Sequence, residues 1–284
     1  MRQKEETMKI SIHSLKLSFA SAALAALLPL AATSGAHAAV KPLTPVHFGL
    51  DWSLYGTHAA FFLGLKKGLY EKEGLDVKIT EGSGSATLAQ QIARGNEPFG
   101  FEDFATMIRG VQQGLPIVAV MRVLSGAMCI ISRADDPIKT PKQLEGKTMA
   151  YSPAESTAQI LPALLAKNGV DASKIKVIQP TATAKLALFL QGRVDAIPGN
   201  VNQQVAQVEA KGVKPYYFRY SDFGVNVLAN GIVVNTQYAK EHPQVVRGFV
   251  KATREAFEMA MKNPEAAIDA LISYYPQQAQ NRKV

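Results

Sequence analysis

The chain has 284 residues, 47% of them hydrophobic and 19% charged, a composition that predicts a sizeable core and excludes an intrinsically disordered protein. The formal net charge of +8 is moderate and comes with no basic run, so we expect no nucleic-acid partner. Cys129 is the only cysteine, which excludes an internal disulfide bond.

Residues 1–38 have the organisation of a secretory signal peptide. Lys9 and Lys16 precede an apolar run, Leu17 to Leu30, and the segment ends in Ala36-His37-Ala38. Charged, apolar and small-residue regions in this order predict export and cleavage after Ala38. A membrane anchor is the alternative, but about 14 apolar residues are too few to span a bilayer. No later stretch is long and apolar enough to do so, and the mature chain is therefore predicted not to be embedded in a membrane.

After the signal, strand patterns alternate with helical patterns. The first block has predicted strands at 45–52, 75–80, 98–102 and 115–124, with predicted helices at 57–74, 85–94 and 103–114 between them. Strands separated by helices of this length imply right-handed βαβ crossovers, in which the strands run parallel. The first block is therefore predicted to be an α/β unit with a mainly parallel sheet.

The alternation breaks near Pro137 and Pro141, which are flanked by charges, and then begins again. The second block has predicted strands at 147–152, 174–179, 194–199 and 213–220, and predicted helices at 154–169, 182–192 and 200–212. An extended run at 230–235 precedes two closing helices, 242–262 and 264–275, which have no sheet of their own to cover. The second block is therefore predicted to be inserted into the first. Lobe I would comprise residues 39–133 and 232–284, and lobe II residues 134–231.

Ligands of α/β sheets bind beyond the carboxyl ends of the strands, so two such lobes facing each other would enclose a cleft. The turns at these ends are rich in hydroxyl, amide and carboxylate groups. The candidate ligand-binding residues are Asp51, Trp52, Tyr55, His58, Ser83, Gly84, Ser85, Glu102, Asp103, Ser152, Ser156, Thr157, Asn200, Asn202 and Asp222.

Several of these candidates have a second interpretation. The turn from Ser83 to Ser85 lacks the lysine of a Walker loop and the last glycine of a dinucleotide fingerprint, so its N–H and hydroxyl groups either bind some other acceptor or anion, or only cap a helix. Trp52 either stacks on a planar ligand or packs between the lobes. Glu102 and Asp103 either hydrogen-bond a ligand or offset the helix dipole that follows them.

Catalytic and metal chemistry is not predicted. The histidines of the mature chain lack metal-ligand spacing, no Gly-x-Ser-x-Gly elbow is present, and Cys129 lies in an apolar run. We therefore expect a binding protein rather than an enzyme, with no cofactor and no bound metal.

A set of motifs resembles the NMT1/THI5-like substrate-binding proteins of ABC transporters. The set comprises Trp52 after the first strand, the turn KGLYEKEGLDV, the Gly-Ser turn, and the later stretches LQGRVDAIPGN and YSDFGVNVLANGIVVN. The resemblance covers residues 46–271 and implies a type II periplasmic-binding-protein fold, with two α/β lobes of mainly parallel sheets joined by a double crossover hinge. It further implies a periplasmic monomer that captures a small molecule and delivers it, unchanged, to the permease subunits of an ABC transporter.

The ligand is less closely specified by this resemblance. The group includes binding proteins for sulfonates, nitrate, thiamine pyrimidine precursors and riboflavin, and YSDFGVNVLANGIVVN is most similar to the pyrimidine-precursor branch. Together with Trp52, this similarity favours a planar ligand that is pyrimidine-like, flavin-like or aromatic. Such a ligand could also be an anion. A sulfonate- or nitrate-type anion is the alternative, because the turn from Ser83 to Ser85 would suit it. An exported sensor domain is a further alternative.

The sequence also departs from the family pattern. The pyrimidine synthases of the group carry a cysteine cluster that is missing here, which together with the signal peptide argues against an enzyme. Glu97-Pro98 stands where the family commonly has an acidic residue before Phe-Gly. The sequence ends at PQQAQNRKV, earlier than family members usually end, so a last helix is expected to be missing.

Overall fold

A computed structural model describes residues 42–282, apart from the side chains of residues 182 and 183. The predicted signal peptide and its cleavage point after Ala38 lie outside the described residues. The strands form two five-stranded sheets, and the helices pack around them.

The first sheet has the strand order β2-β1-β3-β10-β4. Its strands are β1 (Thr44–Leu50), β2 (Leu75–Thr80), β3 (Phe99–Asp103), β4 (Ile117–Arg122) and β10 (Asn230–Asn235). β1 pairs in parallel with β2 and β3, whereas β10 lies antiparallel between β3 and β4. Four strands thus run in one direction, and only β10, which returns from the far part of the chain, runs in the other.

The second sheet repeats this arrangement with the order β7-β6-β8-β5-β9. Its strands are β5 (Met128–Arg133), β6 (Thr148–Ala150), β7 (Lys176–Ile178), β8 (Ala196–Asn200) and β9 (Pro215–Arg219). β6 pairs in parallel with β7 and β8, and β5 lies antiparallel between β8 and β9. The mainly parallel sheets that the sequence predicts are confirmed, and the antiparallel strand in each sheet belongs to a crossover.

The helices follow the predicted alternation with shorter bounds. They are α1 (Ala59–Lys66), α2 (Leu69–Lys72), α3 (Ser85–Ala93), α4 (Phe104–Gln112), α5 (Ser156–Lys167), α6 (Ala182–Leu190), α7 (Ala206–Ala210), α8 (Thr236–Glu241), α9 (Pro243–Lys262) and α10 (Pro264–Tyr274). The helix predicted at 200–212 begins instead as a π-helical turn, Val201–Val205, before α7. None of the described helices is long and apolar enough to cross a membrane.

Each sheet has its own hydrophobic core. In the first, the buried ring of Phe249 on α9 packs against Phe48 of β1 and Phe99 of β3, with ring centroids 5.0 and 4.5 Å apart. Residues of α10 belong to the same core, so the two closing helices cover the first sheet. The cores of the second sheet are built around Met149 and Leu164 on one side and Ile131 and Phe189 on the other.

The first crossing between the sheets falls between β4 and β5. Met128–Arg133, which the predicted boundary at 133 assigns to lobe I, pairs within the second sheet. The reason is its burial: five of its six residues are buried, the strand lies between β8 and β9, and a run without alternation is what such a position requires. The lobe boundaries at 133/134 and 231/232 remain predictions.

Candidate ligand-binding cleft

A cleft of about 280 Å³ lies between the two sheets. The first lobe contributes the turn after β1 and the start of α3, and the second contributes the starts of α5 and α6 and the π-helical turn after β8. Helix N-termini and the carboxyl ends of strands therefore meet here, as the α/β architecture requires. The lining residues are Asp51, Trp52, Ser85, Glu155, Ser156, Thr157, Lys185, Asn200, Gln203 and Gln204.

Asp51 is held from behind by two buried side chains. Its Oδ2 accepts a hydrogen bond of 2.7 Å from Asn230 Nδ2, and its Oδ1 lies 3.3 Å from His58 Nε2. The ring of Tyr55 packs against the imidazole of His58, with centroids 4.1 Å apart and the ring planes tilted by 54°. Since a carboxylate offers about four lone-pair sites, Asp51 keeps acceptor capacity toward the cleft. His58 is fully buried and positions Asp51 rather than facing the cleft.

Trp52 and Lys185 meet across the cleft. Lys185 Nζ lies 5.3 Å from the centroid of the Trp52 ring, within the range of a cation–π contact. The same ammonium donates to Glu155 Oε2 at 2.6 Å and to the carbonyl of Pro198 at 3.0 Å. Lys185 and Trp52 are 2% and 8% exposed, so this cation is withdrawn from water against an aromatic face. Burial raises the pKa of the Glu155 carboxyl, and the neighbouring Lys185 acts in the opposite direction.

Two carboxyl groups lie behind the first-lobe wall. Glu102 and Asp103 at the end of β3 are fully buried. Burial raises the pKa of Glu102 well above its usual value, and the charges of Asp103 and Asp51 act in the same direction. Burial also raises the pKa of Asp103 from 3.8 to about 6, against hydrogen bonds from Thr106. Asp103 caps α4 by accepting from Thr106 N at 2.8 Å, so the helix-capping interpretation describes its contact here.

The Gly-Ser turn brings the backbone of the first lobe against the second. Ala86 N donates to the carbonyl of Ala154 at 3.1 Å, and a Cβ on Gly84 would meet that same carbonyl. Gly84 has φ +144°, a conformation that suits glycine. Ser85 does not cap α3; its Oγ accepts from Asp103 N at 3.3 Å. Here the turn provides a close approach between the lobes.

The structure brings together part of the predicted set. Of the candidates, those lining the cleft are Asp51, Trp52, Ser85, Ser156, Thr157 and Asn200. Three more lie behind its wall (His58, Glu102 and Asp103), and Gly84 lies at the contact between the lobes. Whether any of them contacts a ligand remains a prediction.

The remaining candidates do not line this cleft. Tyr55 lines a separate cavity of about 420 Å³ with Leu271 of α10. Ser83 is exposed and Ser152 half-buried. Asn202 is exposed and lies 3.5 Å from Thr57 Oγ1. Asp222 is exposed and accepts from Arg219 N at 2.9 Å, so its carboxylate closes a turn of its own.

Sequence reasoning missed four lining residues: Glu155, Lys185, Gln203 and Gln204. Gln204 Oε1 accepts from Asn200 N at 2.8 Å, while the Nε2 of Gln203 has no protein partner among the described residues. The glutamines reach the cleft because the π-helical turn Val201–Val205 presents them there, and such turns are frequent at functional sites. For Glu155, the available signal was its place in the first turn of the helix predicted at 154–169; in the structure it directly precedes α5.

Two observations on the described residues concern metal and nucleophile chemistry. No group of three or more His, Cys, Asp or Glu side chains within it is placed to hold a metal ion. Burial raises the pKa of the Cys129 thiol to about 12, which keeps it protonated at neutral pH.

Comparison with known proteins gives a family match over most of the chain. The NMT1/THI5-like family model matches residues 56–267. The formylaminopyrimidine-binding protein of Halalkalibacterium halodurans is 24% identical over 236 residues, which cover 82% of this chain and 71% of that protein. The riboflavin-binding protein RibY of Chloroflexus aurantiacus is 24% identical over 224 residues, 77% of this chain and 63% of that protein. The 4-amino-5-hydroxymethyl-2-methylpyrimidine phosphate synthase of Legionella pneumophila is 19% identical over 232 residues, 80% of this chain and 73% of that protein.

Solved structures share the architecture. The alkanesulfonate-binding protein SsuA of Xanthomonas axonopodis pv. citri, bound to MOPS, matches with a TM-score of 0.67 at 16% identity, and the match covers 85% of each chain. At this identity the likeness shows the fold alone, which is that of a type II periplasmic binding protein with two α/β lobes.

Proposed function

The chain belongs to the NMT1/THI5-like family, and from this premise we propose that it is the periplasmic substrate-binding protein of an ABC importer. It is exported, captures a small planar molecule between its two lobes and hands it to the permease chemically unchanged. The observation that carries this proposal is the cleft itself. It is lined by the aromatic side chain of Trp52 and by buried polar side chains that come from both lobes.

The charges of the cleft favour a ring with both donor and acceptor atoms. The first lobe presents the Asp51 carboxylate, which attracts ring N–H or amino groups. The second lobe presents Lys185, the amide of Gln203 and the hydroxyl-bearing start of α5, all of which donate hydrogen bonds. Because the Asp51 carboxylate accepts hydrogen bonds and the Lys185–Glu155 ion pair offers a donor, the cleft suits a pyrimidine-like molecule, which has both donor and acceptor atoms, better than a sulfonate or nitrate anion. The name of the Halalkalibacterium relative supports the same class.

A pyrimidine-forming enzyme on the same fold is the second candidate, and the Legionella relative, named as a synthase, favours it. Turning a ligand over would require a nucleophile, base or metal at the ring. Of the cleft acids, Asp51 is hydrogen-bonded to Asn230 and His58, and Glu155 is paired with Lys185. Binding without turnover is therefore the better account of the cleft.

The proposal is tested by thermal unfolding of the purified chain against 4-amino-5-hydroxymethyl-2-methylpyrimidine, riboflavin, an aromatic carboxylate and an alkanesulfonate. A ligand at a hundredfold excess over its dissociation constant stabilises the folded state by about 2.7 kcal/mol. We expect the pyrimidine to raise the melting temperature and to be recovered unchanged, as mass spectrometry would report. Stabilisation by the alkanesulfonate alone would contradict the ligand class, and chemical conversion of the pyrimidine would favour the enzyme.

A further inference from the structure

Lys185 makes a contact between the two lobes inside the cleft. It lies on α6 in the second lobe, yet its ammonium lies 5.3 Å from the ring centroid of Trp52 in the first. Both side chains are more than nine-tenths buried. A cation in this position covers an aromatic face on which a planar ligand could otherwise stack.

The ammonium has hydrogen-bonding capacity to spare. Of its three N–H donors, the described contacts account for two, one to Glu155 Oε2 and one to the carbonyl of Pro198. These two bonds hold the ammonium on the second-lobe side of the cleft. The remaining N–H is available to an acceptor atom that lies against Trp52.

A second donor converges on the same space. Gln203 lines the cleft, is 3% exposed, and its Nε2 has no protein partner in the described structure. A buried amide donor without a partner costs free energy, so a ligand acceptor in its reach is stabilising. Ser156 and Thr157, at the start of α5, line the same side.

We propose that Lys185 is a specificity-determining residue, which admits planar ligands that carry an acceptor atom toward the second lobe and rejects those that carry a cation there. The inference rests on the proposed function and goes further by assigning a polarity to the bound ring. The physical reason is that two like charges in a site withdrawn from water repel strongly, whereas an acceptor gains a charge-assisted hydrogen bond.

Two matched probes test this assignment: 4-amino-5-hydroxymethyl-2-methylpyrimidine, and its 5-aminomethyl analogue, which is cationic at neutral pH. Trp52 is the only tryptophan of the chain, so its fluorescence reports binding at this site. We expect the unaltered protein to bind the hydroxymethyl probe about a hundredfold or more tighter than the aminomethyl probe.

The variants separate the ammonium from its ion pair. Lys185→Met combined with Glu155→Gln removes both charges together, so that neither is left buried without its partner. This double variant should bind the two probes within about tenfold of each other. Lys185→Arg keeps the cation and should keep the preference, as should Lys176→Met at an exposed position of β7.

Each outcome decides the question. Equal affinity of the unaltered protein for the two probes, or a preference that survives in the double variant, overturns the role of Lys185 and leaves the proposed function intact. Binding of neither probe overturns both. If the double variant does not fold, the preferences of the unaltered protein and of Lys185→Arg still test the assignment.

Discussion

Asp103→Asn isolates the effect of one buried carboxyl on stability. The Oδ1 of Asp103 accepts from the backbone N and the Oγ1 of Thr106 at 2.8 and 3.1 Å, while its Oδ2 is buried without a partner. Asparagine keeps an acceptor at Oδ1, so the cap of α4 is retained. What the substitution removes is the ability of the group to bind a proton.

The size of the effect follows from the pKa. Burial raises the pKa of Asp103 from 3.8 to about 6. Between these values the folded chain holds a proton that the unfolded chain has released, so the free energy of unfolding falls as the pH rises and levels off above about pH 6. The group therefore contributes most at acidic pH, and the total loss is about 3 kcal/mol at 1.36 kcal/mol per pH unit. The variant has no such loss.

The measurement is urea unfolding of both proteins from pH 4 to pH 7.5. The free energy of unfolding of the variant minus that of the unaltered protein should increase by about 2.5 kcal/mol over this range. Taking the difference removes the contribution of all groups that titrate alike in both proteins. Removal of the Asp103 charge also relieves its repulsion of Glu102, which acts in the same direction. A difference that stays constant with pH would refute the assignment of the raised pKa to Asp103.

Three further changes test the core, the lobe contact and the aromatic face. Phe249→Ala should lower the free energy of unfolding by about 3–5 kcal/mol in a denaturant titration, because this ring is fully buried in the first core; a loss below 1 kcal/mol would contradict the packing. Gly84→Ala places a methyl group against the carbonyl of Ala154 and should weaken pyrimidine binding about tenfold or more in a Trp52 fluorescence titration. Gly74→Ala, also at positive φ but with nothing within 4 Å, should leave that affinity unchanged, and equal losses in both variants would point to backbone strain alone. Trp52→Leu should weaken the same binding by calorimetry, since stacking of a base on an aromatic side chain is worth about 1–3 kcal/mol.

The fold could be predicted from the sequence because it depends on periodicity. Alternating strand and helix patterns identify which segments pair in parallel, and the two closing helices without a sheet point to an inserted block. The strand Met128–Arg133 was harder to place, since its first five residues are all buried and show no alternation that would reveal its register or its partner. Its sheet is decided by contacts with β8 and β9, which are distant in sequence.

The site could be predicted only where it coincides with the turns after strands. Asp51, Trp52, Ser156 and Thr157 occupy such positions, and the structure places them in one cleft. Lys185 does not lie in such a turn but within α6. From sequence alone, a lysine in a helix is expected on the solvent-exposed face.

The sequence also does not show whether a polar side chain lines the cleft or lies behind its wall. Tyr55 and His58 follow β1, and Glu102 and Asp103 end β3, but the structure places these side chains beside or behind the cleft wall. A polar residue after a strand reaches the cleft only if its side chain points across the sheet edge, and the local turn decides this. For His58, a short 3-10 turn, Gly56–His58, directs the imidazole back toward Asp51.

The division of donors and acceptors between the lobes bears on how a ligand would close them. A ligand shifts an equilibrium between open and closed forms only by its differential affinity for the two. A ring that contacts Trp52 alone touches one lobe and gains nothing from closure. In the proposed function, the ring gains hydrogen bonds from Gln203 and Lys185 only when the second lobe reaches it, so these donors convert binding into closure. Loss of the second-lobe donors should therefore reduce ligand-induced compaction, measured by small-angle X-ray scattering, more than it reduces the stacking that Trp52 fluorescence reports.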